Sequence, residues 1–445
     1  MLNLVGAMDA VMCFRWTAFW LALVWALHSA PAAAIPVFAR IYDKPCSACH
    51  TVFPQLNPAG ENFRAHGLHG LAPAIKPRRV GSLVDVPGTL PLAFYVAAGE
   101  DLSRVDVPGQ HDPTRTHFNL EFFRLLAGGE VGRHLAFLLD YELVETEPDT
   151  GDVQVNTLPY QAYVTAHAAR WGWLGNLKGG WYELPLTVPP QIHRLSVRPY
   201  LIYGLNGCTL LDTPPPHGGC DDQPTLGATQ IGLELSGVQA ARGLGWAAGF
   251  TNGSDERLSN AASQDVYLHL SQTLGLHRGG LVFYYSPDIV GDGVHDRTVR
   301  FGPDVDLYSR QWRILGQFLA ACESNPTGYS ESLWYYGGFL EVNYRLTAAL
   351  VSLLRVDSAW SPRFDDRMRG GDTLTKRRLR EVTGGWQWVL LQNLKVVAEV
   401  TYGENHDAVG DSTTKTWAGT LRVATAFWPL TPPGLSEWMM RQDPP

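Results

Sequence analysis

Two cysteines two residues apart, followed at once by a histidine, stand at Cys46-Ser47-Ala48-Cys49-His50. Thiols at this spacing can form thioethers with the two vinyl groups of one haem, and the adjacent imidazole can then take the proximal position on its iron. The pattern therefore predicts one covalently bound haem c, attached through Cys46 and Cys49 and ligated by His50. A thioredoxin-like redox pair or half of a zinc site would use the same two thiols. No second cysteine pair lies nearby and no strand pattern precedes the motif, which weighs against both. A second axial donor must come from elsewhere. Beyond the N-terminal leader the only methionines are Met368, Met439 and Met440, all distant in sequence, so the local candidates are His66 and His69 in His66-Gly67-Leu68-His69. The bland alternative is that both face solvent at a helix end. A bis-histidine iron would have a lower potential than a Met/His one.

The elements that must hold this site are short. Asn57 at a helix N-cap, Pro58 at the first helical position and Gly67 past the end predict one small helix after the motif. A haem segment spanning residues 35–80 is too small to bury a haem and a core of its own, so it must lean on another part of the chain. The residues Pro36, Phe38-Ala39-Arg40, Cys46, Cys49-His50, Pro54, Leu56, Gly60, Phe63-Arg64 and Gly67 together resemble the opening signature of outer-membrane monohaem cytochrome-porin fusions, the family of the iron-oxidising outer-membrane c-type cytochromes. The resemblance covers roughly Ile35 to Leu68. It implies a haem carried with a barrel and Fe(II) as electron donor. Where the iron oxidases follow Phe-Ala-Arg with Gln-Thr and end the segment in Asn-Gly-Tyr, this chain has Ile41-Tyr42 and His66-Gly67-Leu68.

The N-terminus fits export. An apolar run from Trp16 to Ala30 is short for a membrane span, and Ala32-Ala33-Ala34 offers small residues for cleavage, so residues 1–34 are expected to be a signal peptide. Because Arg15 is the only basic residue ahead of that run, Met12 is the expected start. Cys208 and Cys220, in one proline-rich stretch, are spaced for a disulfide worth about 3 kcal/mol. Cys322 is left as a buried or free thiol.

From residue 90 to 428 alternation of apolar and polar residues dominates. Leu92, Phe94 and Val96 interleave with Ala93, Tyr95 and Ala97; Phe118, Leu120 and Phe122 with His117, Asn119 and Glu121; and Val299, Phe301, Val305 and Leu307 with Arg300, Gly302, Asp304 and Asp306. A soluble antiparallel sheet would alternate in the same way. The connections discriminate, because short turns near Gly128-Gly129, Arg170-Trp171, Arg242, His277-Arg278, Ser309-Arg310, Leu346 and Gln392 alternate with long polar loops, among them Pro185 to Thr225. That asymmetry, with about sixteen strand candidates, predicts a mainly β fold: an antiparallel transmembrane β-barrel of about 16 strands with a small N-terminal α-helical c-type haem segment. Its first link is long and therefore extracellular, which brings the haem segment in from the periplasmic side. Aromatic residues at strand ends, including Trp171, Trp173, Trp312, Trp334-Tyr335-Tyr336, Trp360 and Trp386, suit interfacial girdles. Residues 429–445 are expected to form a C-terminal tail.

The charged residues expected to face inward include His117, Glu121, Arg124, Asp140, Glu142, His167, Lys178, His269, Arg300, Asp304, Asp306, Arg313, Glu399 and Arg422, which a solvated lumen would need in any case. Acidic loops such as Glu145 to Asp152 and Asp221-Asp222 would attract divalent cations, whether Fe(II) or the ions that bridge lipopolysaccharide. A net charge of −8 disfavours nucleic acid as a partner. The expected function is electron transfer at the outer membrane, in which a barrel-sheathed monohaem cytochrome takes electrons from an extracellular donor to a periplasmic cytochrome, an electron-transfer oxidoreductase with no bond-making step. The rival expectation is a solute porin whose cytochrome segment senses redox state or plugs the channel.

Overall fold

The structure, a computed structural model, describes residues 37–71, 73, 77–80, 84–87, 91–109, 114–146, 153–154, 159–170, 173–189, 193–211, 225–253, 264–289, 295–326, 332–362, 364–366, 373–375, 377–391, 393–407 and 412–427. The expected leader, the tail, Trp171, Cys220 and most of the acidic loop residues lie outside these.

Sixteen antiparallel strands form one closed barrel. They are β1 Leu92–Asp106, β2 Arg115–Val131, β3 Leu135–Thr146, β4 Gln161–Arg170, β5 Trp173–Tyr182, β6 Gln230–Gln239, β7 Leu244–Thr251 and β8 Asp265–Leu274. The second half comprises β9 His277–Ile289, β10 His295–Tyr308, β11 Trp312–Glu323, β12 Leu333–Arg345, β13 Leu350–Trp360, β14 Arg377–Leu391, β15 Leu394–Asp407 and β16 Ser412–Phe427. Each strand pairs with its sequence neighbour, and β16 closes the ring on β1 through Ala424↔Ala97 and Phe427↔Phe94. Closure removes the unpaired edges that an open sheet would expose. The links alternate between short turns and long loops as the sequence predicts.

Alternation sorts the side chains. Along β10, Phe301 is outward and exposed, while Arg300, Asp304 and Asp306 are buried inward. The outer face carries exposed Leu177, Leu233, Phe250, Leu281, Leu340, Leu354 and Val400, an arrangement costly in water and suited to lipid. Exposed aromatics gather near both ends of the strands: Trp312, Trp388 and Phe427 towards the short turns, Trp334, Trp360 and Trp417 towards the long loops. Two assignments, one from strand-end position and one from alternation, need correction. Tyr335 points inward, where it donates a hydrogen bond to Glu323 at 2.8 Å, instead of joining a girdle. Phe122 is also inward, because the register shifts between Ala97↔Phe122 and Ala98↔Leu120, and the bulge at Glu121 reverses the faces beyond Leu120.

Two pieces of chain fill the lumen. The first is Val37–Leu71, which contains α1 Val37–Tyr42 and α2 Pro58–Ala65 and lies at the short-turn end. The second is the long link after β5, which folds inward instead of forming a polar outer loop and carries α3 Leu201–Gly204 and α4 Gly207–Leu211. Its Leu184, Leu186, Val188, Tyr200, Ile202 and Leu210 are buried against inward-facing Tyr267, Tyr284, Leu315, Tyr335 and Phe339. Cys208 of this link is disulfide-bonded; Cys46, Cys49 and Cys322 are free thiols, so its partner lies outside the described residues, as Cys220 does.

Candidate cofactor site

The motif folds as a tight turn followed by a small ribbon. Cys46–Ala48 form a single 3₁₀ turn, and His50–Val52 pair with Gln55–Leu56. Asn57 ties this ribbon to α2. Its Oδ1 accepts from the amides of Ala59 and Gly60 at 2.9 and 3.0 Å, while its Nδ2 donates to the carbonyls of Ser47 and Ala48 at 3.1 and 3.3 Å. One side chain thus caps the helix and fixes the motif beside it. Helix and motif approach so closely that a Cβ on Gly60 would sit 2.1 Å from the Cys49 carbonyl oxygen, which explains a glycine inside a helix. Gly67, at φ +67°, ends the helix in the left-handed region, where a Cβ would also meet Asn176 of the barrel wall.

The barrel grips this segment from many directions. Arg40 Nη2 donates to the Leu92 carbonyl at 2.6 Å and the Tyr42 hydroxyl to Glu130 at 2.9 Å. From the wall, Asn176 Nδ2 donates to the Ala65 carbonyl at 2.8 Å, Lys395 Nζ to the Phe53 carbonyl at 2.7 Å, and Arg313 to the Leu56 carbonyl. Glu61 of α2 pairs with Arg64 at 2.7 Å and faces Arg278 at 3.9 Å. Burial alone would raise its carboxyl, but Arg64, Arg278 and Arg313 outweigh it and hold the group down to about 2. The small segment thus borrows its core from the wall, with Val37, Ile41 and Tyr42 packed on Ala93, and Val52 on Val351 and Leu353.

Cys46, Cys49 and His50 line one cavity inside the lumen. Its wall is largely apolar: Val37, Phe38, Phe53, Leu56, Phe63, Leu68, Phe122, Leu126, Leu138, Leu195 and Val397. Arg64, Arg124, Arg194, Arg422 and Lys395 bring positive charge to the same lining. Arg124 lies 2.9 Å from Glu142 and over the Tyr160 ring at 4.0 Å, and Arg422 is 3.2 Å from Asp101. His50 Nδ1 is 3.1 Å from the Pro54 carbonyl, which orients the ring. Burial, with a smaller contribution from His193, pushes His50 down to about 4, so the imidazole is neutral and can ligate a metal. Burial also pushes both motif thiols up.

His66 and His69, the alternative local candidates for the second axial position, lie outside the cavity lining. His66 caps α2 with Nδ1 at 2.7 Å from the Asn62 carbonyl, and the His69 ring is tilted by 44° against that of His167 with the centroids 3.7 Å apart, its Nδ1 3.7 Å from Glu130. His193, from the inturned link, does belong to that lining. Nothing in the sequence marks His193: it is far from the motif and lies within residues 185–225, whose proline-rich, polar composition reads as an outer loop. Of the inward-facing charges predicted, Asp140, Glu142, His269, Arg300, Asp304, Asp306, Arg313, Glu399 and Arg422 are buried in the lumen wall, and Glu121, Arg124, Asp140 and Arg422 belong to the cavity itself.

No protein-family model and no curated protein sequence matches the chain. Solved structures do. The anion-selective porin of Comamonas acidovorans is 12% identical, with 76% of this chain and 99% of that one covered, at a TM-score of 0.52. The fold is that of a porin barrel. The outer membrane channel DcaP of Acinetobacter baumannii (11% identity, 79% and 100% covered, TM-score 0.48) and trimeric OmpT of Vibrio cholerae (13%, 76% and 99%, 0.48) are more distant in shape. The Comamonas match covers 76% of the chain, and the sixteen barrel strands begin only at Leu92.

Proposed function

We propose that this chain is an outer-membrane electron-transfer protein, a porin-type barrel that carries one covalent haem c in its lumen and relays electrons from an extracellular donor to a periplasmic cytochrome. It is read as a cytochrome-porin fusion, and Fe(II) is the donor that the resemblance implies. The observation that carries this reading is the gathering of Cys46, Cys49 and His50 on the lining of one largely apolar cavity inside the barrel. The cavity suits the group: two thiols for the vinyl carbons, a neutral imidazole for the iron, and Arg124, Arg194 and Arg422 for two propionates. When bound, the haem supplies a one-electron carrier of low reorganisation cost. The protein residues do the rest: His50 holds the iron, the apolar wall excludes water, and the barrel carries the site into a hydrocarbon layer about 30 Å thick. A haem left wholly in the periplasm would be too far from a donor outside the cell for efficient tunnelling. The outer apolar belt faces lipid and the loop ends face lipopolysaccharide, with the short-turn end and its haem segment towards the periplasm.

A different observation favours a second reading. The porin fold and the charged inner wall are what a solute porin needs, with the N-terminal segment as its plug. The two readings part in a stopped-flow experiment on the oxidised, detergent-solubilised protein mixed with Fe(II) under anoxic conditions. The electron-transfer reading expects rapid appearance of the reduced c-type spectrum, abolished in His50→Ala. A haem that dithionite reduces and Fe(II) does not would reject iron as the donor.

A further inference from the structure

We propose that His193, delivered by the inturned link, is the axial partner of His50, so that the ligand set of the haem is completed from a part of the chain far from the attachment motif. The inference rests on the haem reading above and concerns how that haem is held. Among the described residues, His50 and His193 are the only histidines in the lining that contains Cys46 and Cys49, and no methionine is in it. Lys395 shares the lining, but its ammonium is engaged by the Phe53 carbonyl at 2.7 Å and Gln387 at 3.0 Å.

Each imidazole has an acceptor near its Nδ1. His50 turns Nδ1 to a backbone carbonyl, and His193 Nδ1 lies 3.4 Å from the buried Glu183 carboxylate. A carboxylate behind the ring is a common support for a metal-bound histidine, fixing its tautomer and raising its basicity, and Glu183 stands close enough to take that role although His193 Nδ1 makes no hydrogen bond here. The backbone that presents His193 is itself pinned. Arg194 donates to the carbonyls of Ser196 and Val197 at 3.0 and 2.9 Å, and Glu399 accepts from Ser196 Oγ and the amides of Val197 and Arg198 at 2.9, 3.0 and 3.1 Å. Gln387 donates to the Leu195 carbonyl. A ring on so anchored a stretch is positioned before the cofactor arrives, and the link that crosses the lumen becomes the clamp on the haem. The expected product is a six-coordinate bis-histidine iron, whose potential lies below that of a Met/His site.

The test uses the full chain matured with covalent haem and reads the spin state of the oxidised iron by electron paramagnetic resonance and visible absorption. Covalent haem is first quantified as the pyridine haemochrome; wild-type protein without it would defeat the haem reading itself. Given the haem, wild type should be low-spin, His193→Ala high-spin and restored to low-spin by added imidazole, and His66→Ala and His69→Ala unchanged. A high-spin wild type, or a His193→Ala iron that stays low-spin, would overturn the assignment. Should His193→Ala fail to assemble, His193→Met decides: the assignment expects a low-spin iron with a raised midpoint potential, and an unaltered potential overturns it.

Discussion

At the short-turn end of the lumen lies a segment too small for a core of its own, and beyond it a link that shares one apolar core with the barrel wall. Residues 37–71 contribute few buried apolar side chains and depend on hydrogen bonds from the wall, Asn176, Arg313 and Lys395 all donating to their backbone carbonyls. The link after β5 brings a continuous apolar cluster from Tyr182 to Leu226, and its polar groups meet the wall in pairs, such as Tyr200 donating to Glu341 at 2.8 Å and Arg355 to the carbonyls of Arg198 and Pro199 at 2.8 and 3.0 Å. The first leaves a cavity with thiols and imidazoles on its lining; the second closes over it.

The comparison breaks most completely when the cofactor can no longer be attached. Replacing Cys46 and Cys49 together by alanine removes both thioether sites, and we expect covalent haem to disappear entirely from haem-stained gels while the barrel still folds and resists SDS without heating, since its sixteen strands pair independently of these residues. Retained covalent haem would contradict the assigned attachment site. A smaller effect should sharpen the other half. Glu399→Ala removes the acceptor of three hydrogen bonds to the inturned link, a loss of about 3 kcal/mol of local anchoring. Proteolysis within residues 183–229 should accelerate severalfold while haem content is unchanged; an unaltered cleavage rate would show that the apolar cluster alone holds the link.

Most of the barrel was legible in the sequence because its physics is local. Alternation sets which side chains face out, and turn residues mark where each strand reverses, so sixteen strand starts and the order of short and long links could be read directly. The motif on which the haem proposal rests is equally local: Cys46, Cys49 and His50 sit within five residues. What escaped depends on distant chain. The bulge at Glu121 that turns Phe122 inward leaves no mark in the alternation. Tyr335 looks like a girdle aromatic until Glu323 is placed beside it. The inturned link carries its apolar residues, Leu184, Leu186, Val188, Tyr200 and Ile202, without a period, and proline-rich spacing disguised it as a surface loop. His193 went unnoticed with it.

In the function proposed above, the lumen is a sheath for a cofactor, and electrons, not solutes, cross it. Ionic conductance of the haem-loaded, full-length protein in planar lipid bilayers tests this most directly. With residues 37–71 and the inturned link both in place, we predict insertion events with little or no current. A steady current of the size that a 16-stranded porin passes, with the haem still attached, would contradict the account and make the chain a solute channel that also carries a haem.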